Sequence, residues 1–336
     1  MSSSRPVSYL HVANGTSVTT TLQAAGVPGA SSIWADPLYE GPVPGGITDD
    51  ELLEVRRRYH SAGVAPDQDH PSLDPVNDMR RWRAAIADHE SYDELVLWFE
   101  HDLFDQLNLI QLLTWIREHV PATRHVSLIC IDTFPGYPDF KGLGELQPRE
   151  LAPLLDTRVP VSDAQYALAD RAWRAFRDSS PEALDAFRSD TEGLPYLGAA
   201  ITRFLQEYPW TNDGLSRTER RLLELASTAP IPLWQAFRRM AEGDRFYTLT
   251  DLSFAATAKA LAETSPPLLL MRQSEDGSRA EWRAIASATE AGRAVLHGTA
   301  DRVSLCGIDR WLGGVHLQGR HAAWRWSDST GQLVRA

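Results

Sequence analysis

The chain has 336 residues, enough for a large core in two or three domains. Hydrophobic residues make up 43% and charged residues 23%, which is ordinary for a globular protein and excludes disorder as the dominant state. The formal net charge of -12 disfavours nucleic-acid phosphate as a partner unless a local basic patch overrides it.

In chain order, Val7 to Ala13 reads as a strand and ends at Asn14-Gly15. Thr16 to Ala25 reads as a helix that stops at Gly26, and Ser32 to Tyr39 reads as a second strand. A β-α-β unit this short places its two strands in parallel. Thr48-Asp49-Asp50-Glu51 is a capping-box pattern, opening a helix to about Ala62; a Pro/Asp-rich loop, Val64 to Pro75, and a polar helix, Val76 to His89, follow. Glu94 to Phe99 (ELVLWF) is nearly all apolar, as expected of a central parallel strand covered on both faces. A helix over Leu103 to Glu118 and a strand over His125 to Ile131 complete the set. The fold class read from this alternation is α/β: an open, mostly parallel, Rossmann-like sheet over residues 1–146.

Residues 147–211 read as a helical linker region, with Trp173, Phe176, Leu184 and Phe187 as core candidates. Residues 212–300 read as winged-helix-like: helices over Arg217 to Leu225, Pro232 to Ala241 and Thr250 to Glu263, then a hairpin turning at Glu275-Asp276-Gly277-Ser278, then a helix over Thr289 to Leu296. Between Ser216 and Ala300 stand ten Arg and one Lys against ten acidic residues, a weaker basic excess than DNA-binding domains carry. The last part, 301–336, is a Trp-rich tail with a hairpin expected over Gly314 to Trp326.

Ligands of an open parallel sheet bind beyond the carboxyl ends of its strands, and here each predicted strand ends in polar residues. The first strand carries His11 and ends in Asn14, Gly15, Thr16 and Ser17; Asp36 and Glu40 go with the second. Glu100, His101, Asp102 and, one turn on, Asp105 and Gln106 follow the third, and Asp132 ends the fourth. The competing reading is that these are helix caps and turn formers, which Asp and Asn are routinely. Asn14 to Ser17 sits at a strand-to-helix junction, where free N–H groups favour an anion, but it is neither a P-loop nor a GxGxxG. Glu100, His101 and Asp102 suit acid/base catalysis, or serve as cap and core. Arg57, between Arg56 and Arg58, would clamp an anion or face solvent. His316 would join a wall built by Trp324 and Trp326, or plug an interface with them.

The residue spacing matches no zinc signature, so no metal is expected, and no motif specifies a cofactor. Cys130 and Cys306 sit in apolar runs and read as small buried hydrophobes. No GxSxG elbow is present. The segment MSSSRPVSYLHV has no apolar signal core and no apolar run reaches membrane-spanning length, so the expected location is the cytoplasm, with no membrane partner.

Five segments, LHVANG, DPLYEGPVP, LWFEHDLFDQL, GLSRTERRLLEL and RWLGGVHL, resemble in their order a bacterial family named domain of unknown function 1835. The resemblance implies an N-terminal α/β domain and a helical C-terminal part, and supplies no activity, cofactor or catalytic residue. In that family the residue after the first Asn-Gly is commonly Asp, whereas Thr16 stands here, so chemistry resting on that Asp would be lost or altered. The leading expectation is a hydrolase or transferase using Glu100, His101 and Asp102 on a polar or anionic small molecule. The alternatives are a ligand-sensing regulator whose winged helix contacts DNA or a partner protein, and an interaction scaffold; a homo-oligomer is compatible with all three.

Overall fold

A computed structural model describes residues 7–63, 75–246, 249–273 and 281–336. Strand β1 (Tyr9–Ala13) leads into α1 (Thr16–Ala24), and β2 (Ala30–Ile33) returns beside β1 in parallel. Next come β3 (Gly41–Pro42), α2 (Asp49–Gly63) and α3 (Pro75–Ala87), then β4 (Glu94–Glu100), α4 (Leu103–His119) and β5 (His125–Ile131). The sheet order is β2-β1-β4-β5, all parallel, with β6 (Val159–Pro160) added antiparallel beside β5. The chain is α/β with a mostly parallel sheet.

Side chains of a strand alternate between faces. Leu95, Leu97 and Phe99 join one core with Leu10 and Val12; Val96 and Trp98 join the opposite core with Ala13, Val18 and Leu22. Both faces are covered, which is why the ELVLWF run is uninterrupted. Helix α4 is buried along almost its whole length from Leu103 to Ile116. Its buried amides are spoken for: Asn108 exchanges hydrogen bonds with the Asp36 backbone, and Gln111 accepts from Trp34 Nε1.

Two expectations shift. The second strand lies earlier than Ser32 to Tyr39 and ends at Ile33: Trp34 N still donates to Ala13 O, but beyond it the Asp36 backbone is bonded to a side chain and Pro37 has no N–H to give. The stretch 147–211 is not continuously helical. α5 (Pro148–Leu151) precedes β6, and α6 (Asp163–Phe176), α7 (Glu182–Phe187) and α8 (Leu197–Leu205) follow it. Val159-Pro160 is a strand only because Ser127 and Leu128 of β5 offer it an edge.

Residues 212–300 have a core of their own, from Leu215 to Val295. α9 (Arg217–Thr228), α10 (Leu233–Met240), α11 (Asp251–Ala262) and α12 (Glu290–Leu296) accompany a small antiparallel sheet. Its order is β7-β9-β8, with β7 (Ile231–Pro232), β8 (Leu269–Arg272) and β9 (Ile285–Ala288). The short β7 was not legible in the sequence. The expected turn at Glu275 to Ser278 and nearly all of the Pro/Asp-rich loop at 64–75 lie outside the described residues.

After α13 (Arg302–Cys306) the tail forms two hairpins rather than one over Gly314 to Trp326: β10 (Ile308–Gly313) with β11 (Val315–Gly319), and β12 (Trp324–Ser327) with β13 (Gln332–Arg335). The first turns at Gly313-Gly314, where a Cβ on Gly314 would stand 2.0 Å from Arg177 O, so only glycine fits. β10 also pairs in parallel with β3, tying the tail to the α/β domain. The larger core accordingly runs from Leu10 through Phe176 and Phe204 to Leu312 and Trp326. Among the described residues no helix is long and apolar enough to cross a membrane.

Candidate functional site

From β1 the chain crosses to β2 on one side, while β4 lies on the other side of β1. The connections therefore diverge beyond the carboxyl ends of β1 and β4, the place where open α/β sheets hold ligands. Asn14 and Gly15 leave β1 there, and Glu100 to Asp102 leave β4. Asn14 Nδ2 donates to Asp105 Oδ1 at 2.7 Å, and Asp105 Oδ2 accepts from Glu100 N at 2.5 Å. Gln106 Nε2 donates to Glu100 O at 2.6 Å, and Asp102, the N-cap of α4, accepts from Asp105 N at 2.8 Å. One buried polar network thus laces the ends of the two central strands.

Alternation along β4 puts Glu100 on the Trp98 face, beneath the turn at 142–145. Glu100 Oε1 accepts from Leu143 N at 2.6 Å. A Cβ on Gly142 would lie 1.9 Å from Glu100 Oε2, so the turn closes on the carboxyl only with glycine there. Burial pushes the Glu100 carboxyl up, the Asp102 charge adds to this, and the N–H groups of Leu143 and Gly144 oppose it. Asp105 rises well above the usual carboxylate range, through burial first and then the charges of Glu100 and Asp102. Carboxyls so placed bind a proton more tightly than free ones. Burial also pushes the neighbouring Cys130 thiol up, and its Sγ donates to Glu100 O at 3.5 Å; this is a packed thiol and no thiolate nucleophile.

His101 is fully buried, edge-on to Tyr196 at 6.2 Å and to Phe246 at 5.6 Å between ring centroids. Neither ring nitrogen has a well-formed hydrogen bond among the described residues. Burial lowers its pKa and the Asp102 charge only partly opposes this, so the ring is neutral at pH 7. Asp132, beyond the end of β5, accepts from Tyr196 Oη at 3.1 Å and from Arg245 Nη2 at 2.9 Å. Arg245 belongs to the segment after α10, which crosses the end of β4: Phe246 O accepts from Leu103 N at 3.1 Å, and Ala241 O accepts from Lys141 Nζ at 3.1 Å.

At the start of α1 the Gly15 N-cap position is extended and has no side chain to cap the helix, and the preceding Asn14 is turned to Asp105. Thr16 and Ser17 are exposed, nothing crowds Gly15, and Ser17 Oγ reaches Gly144 O only at 3.4 Å. Uncapped N–H groups at a helix start suit an anion. The acidic residues do not converge for a cation: among the described residues no three His, Cys, Asp or Glu form a metal-holding group.

Several sequence candidates stand apart from this network. His11 is the third residue of β1, within the strand and not at its end; its Nδ1 accepts from Trp98 Nε1 and its Nε2 donates to Pro28 O, both at 3.1 Å, so it is a satisfied neutral core histidine. Burial by itself would raise Asp36, but Arg56, gripping both carboxylate oxygens, and His60 outweigh it and hold the group at about 2. Arg57 is exposed and pairs with Glu54 one turn away, on a solvated face. His316 stacks on Trp311 at 4.4 Å and bonds Asp309 at 2.7 Å, and Glu40 faces a different cavity. Sequence reasoning underweighted Asp105, although the Asp102/Asp105 spacing in DLFDQL was visible. It missed Tyr196 and Arg245, whose local sequence carries no signal.

No protein-family model matches the chain, and a search of the curated proteins finds no match. The family likeness therefore rests on its five segments alone.

Proposed function

We propose that this chain is a small-molecule hydrolase or transferase that works by acid/base chemistry at the carboxyl ends of β1, β4 and β5. The observation that carries the reading is the pair of buried carboxyls, Glu100 and Asp105, tied by Asn14 to the loop that opens an uncapped helix start in a Rossmann-like crevice. In this reading the N–H groups of Gly15, Thr16 and Ser17 take an anionic part of the substrate. Glu100 delivers a proton, neutral His101 accepts one, and Asp132 with Arg245 balances charge.

Glu100→Gln is the discriminating variant. Glutamine keeps an oxygen for the Leu143 N–H and removes the transferable proton, so the fold should persist while turnover falls about 100-fold or more. A thermal-shift panel of nucleotides, sugar phosphates, amino acids and divalent metals supplies the substrate class to assay. Full turnover in Glu100→Gln would remove the glutamate from the mechanism.

A second reading has support from the order α9, β7, α10, α11, β8, β9, which is that of a winged helix: a ligand-sensing regulator whose module meets DNA or a partner protein. Against DNA, α11 carries Lys259 as its only base and sets Ser253 against Tyr39 of the α/β domain. The five-segment likeness to domain of unknown function 1835 and a cytoplasmic location are compatible with either reading.

A further inference from the structure

A cavity of about 260 Å³ opens where the α/β domain, α8, α11 and the first tail hairpin meet. Tyr39, Glu40, Tyr59, Thr257, Arg310 and Trp311 are among the residues that line it. Glu100, Asp105 and Asp132 are not, so the cavity is separate from the acid/base site.

The charges around this cavity are spoken for, with one exception. Arg310 pairs with Glu219, Arg203 pairs with Glu207 and Asp244, and Asp309 pairs with His316. Glu40 makes no ion pair among the described residues; burial raises its carboxyl, the Ser253 hydroxyl and the charges of Arg56 and His60 oppose this, and the Asp36 charge adds to it. Arg56, close by, reaches the Glu40 backbone oxygen with Nη1 while the rest of its guanidinium grips Asp36. The rest of the wall is aliphatic and hydroxyl-bearing, with three aromatic rings, Tyr39, Tyr59 and Trp311. The Trp311 ring is backed by His316 lying parallel at 4.4 Å, which fixes its plane. The Tyr59 ring already carries the Arg56 guanidinium at 5.1 Å.

A carboxyl without an ion pair, in a cavity that also presents the Trp311 ring, favours positive charge through ion pairing and the negative ring face, and disfavours anions. The space is below the ~300–1,000 Å³ of drug-sized pockets, so the occupant is about the size of an amino acid. We infer that this cavity is a binding site for a small organic cation, an alkylamine or guanidinium compound, whose charge pairs with Glu40 beside Trp311. Because the cavity joins segments from four parts of the chain, its occupant also fastens 212–300 to the α/β domain.

Titration calorimetry on the full chain tests this with agmatine, putrescine and choline, and with acetate and inorganic phosphate as anionic controls. At least one cation should bind with a Kd of about 1 mM or tighter, the anions should not, and Glu40→Gln should weaken the cation about tenfold or more. Burial raises the Glu40 carboxyl, so cation affinity should fall as pH is lowered toward the carboxylate range, and Glu40→Gln should remove that dependence. Thr257→Arg, which projects a guanidinium from α11 into the cavity, should abolish binding and raise the Tm of the unliganded chain. Glu100→Gln should bind the cation as wild type does. No cation binding, or equal affinity in Glu40→Gln, overturns the inference. If Glu40→Gln fails to fold, undiminished binding in Thr257→Arg overturns it.

Discussion

Asp36 and Glu100 are both buried carboxyls, yet they are driven in opposite directions: burial raises both, the Asp102 charge adds to this at Glu100, and only at Asp36 does a guanidinium, with His60, outweigh it. Asp36→Ala would leave Arg56 buried and unpaired, at a cost of about 3–5 kcal/mol read from urea unfolding; a loss below about 1 kcal/mol would mean that water reaches the site. The pH dependence has its origin in the same contrast. Glu100 and Asp105 sit above their unfolded values, so the native state holds protons that the unfolded state has released. Stability must then fall as pH rises above the ordinary carboxylate range, by up to about 1.4 kcal/mol per pH unit for each proton. Glu100→Gln should flatten that limb. Asp36 and Glu219, both held at about 2, act with the other sign: their contribution is full above the ordinary carboxylate range and is lost as pH falls toward 2.

At the scale of elements, the local signals worked where a cap and a period coincide. Ser216 caps α9 in a full capping box that Ser216-Arg217-Thr218-Glu219 spells out in the sequence, and Asp102 caps α4, which the sequence offers only as the alternative to a catalytic role. Ser216→Ala should cost about 1 kcal/mol in thermal or chemical unfolding. β6 and β7 were not legible, since two residues ending in proline contain no period, and only a waiting strand edge makes them strands. The turn at 142–145 was visible merely as a Gly-rich stretch. Gly142→Ala would drive a methyl group into Glu100, so destabilisation of about 1–3 kcal/mol is expected, together with loss of any activity that depends on Glu100.

Over the whole molecule, the tail is a structural part of the α/β domain. Truncation after Ala300 would strip Val303, Ile308, Leu312, Val315, Leu317 and Trp326 from the larger core. The shortened chain should show no cooperative thermal transition, and a native-like Tm would refute that. The net charge of -12 and the contact of α11 with Tyr39 lead to a further expectation: no salt-sensitive retardation of duplex DNA in a mobility-shift assay at low ionic strength.

Periodicity and capping are local, and they alone were enough to read the α/β class, the four parallel strands, α4 and the gathering of Asn14, Glu100, Asp102 and Asp132 at strand ends. Partner choice is not local. That His11 is satisfied by Trp98 and Pro28, that Arg56 and not Arg57 meets Asp36, and that Tyr196 and Arg245 reach Asp132 depends on which distant segments share a face. The hydrogen bonds and ion pairs that decide whether a polar residue is buried and satisfied or left over for a ligand span tens to hundreds of positions. Only the folded chain brings those positions within hydrogen-bonding distance of each other.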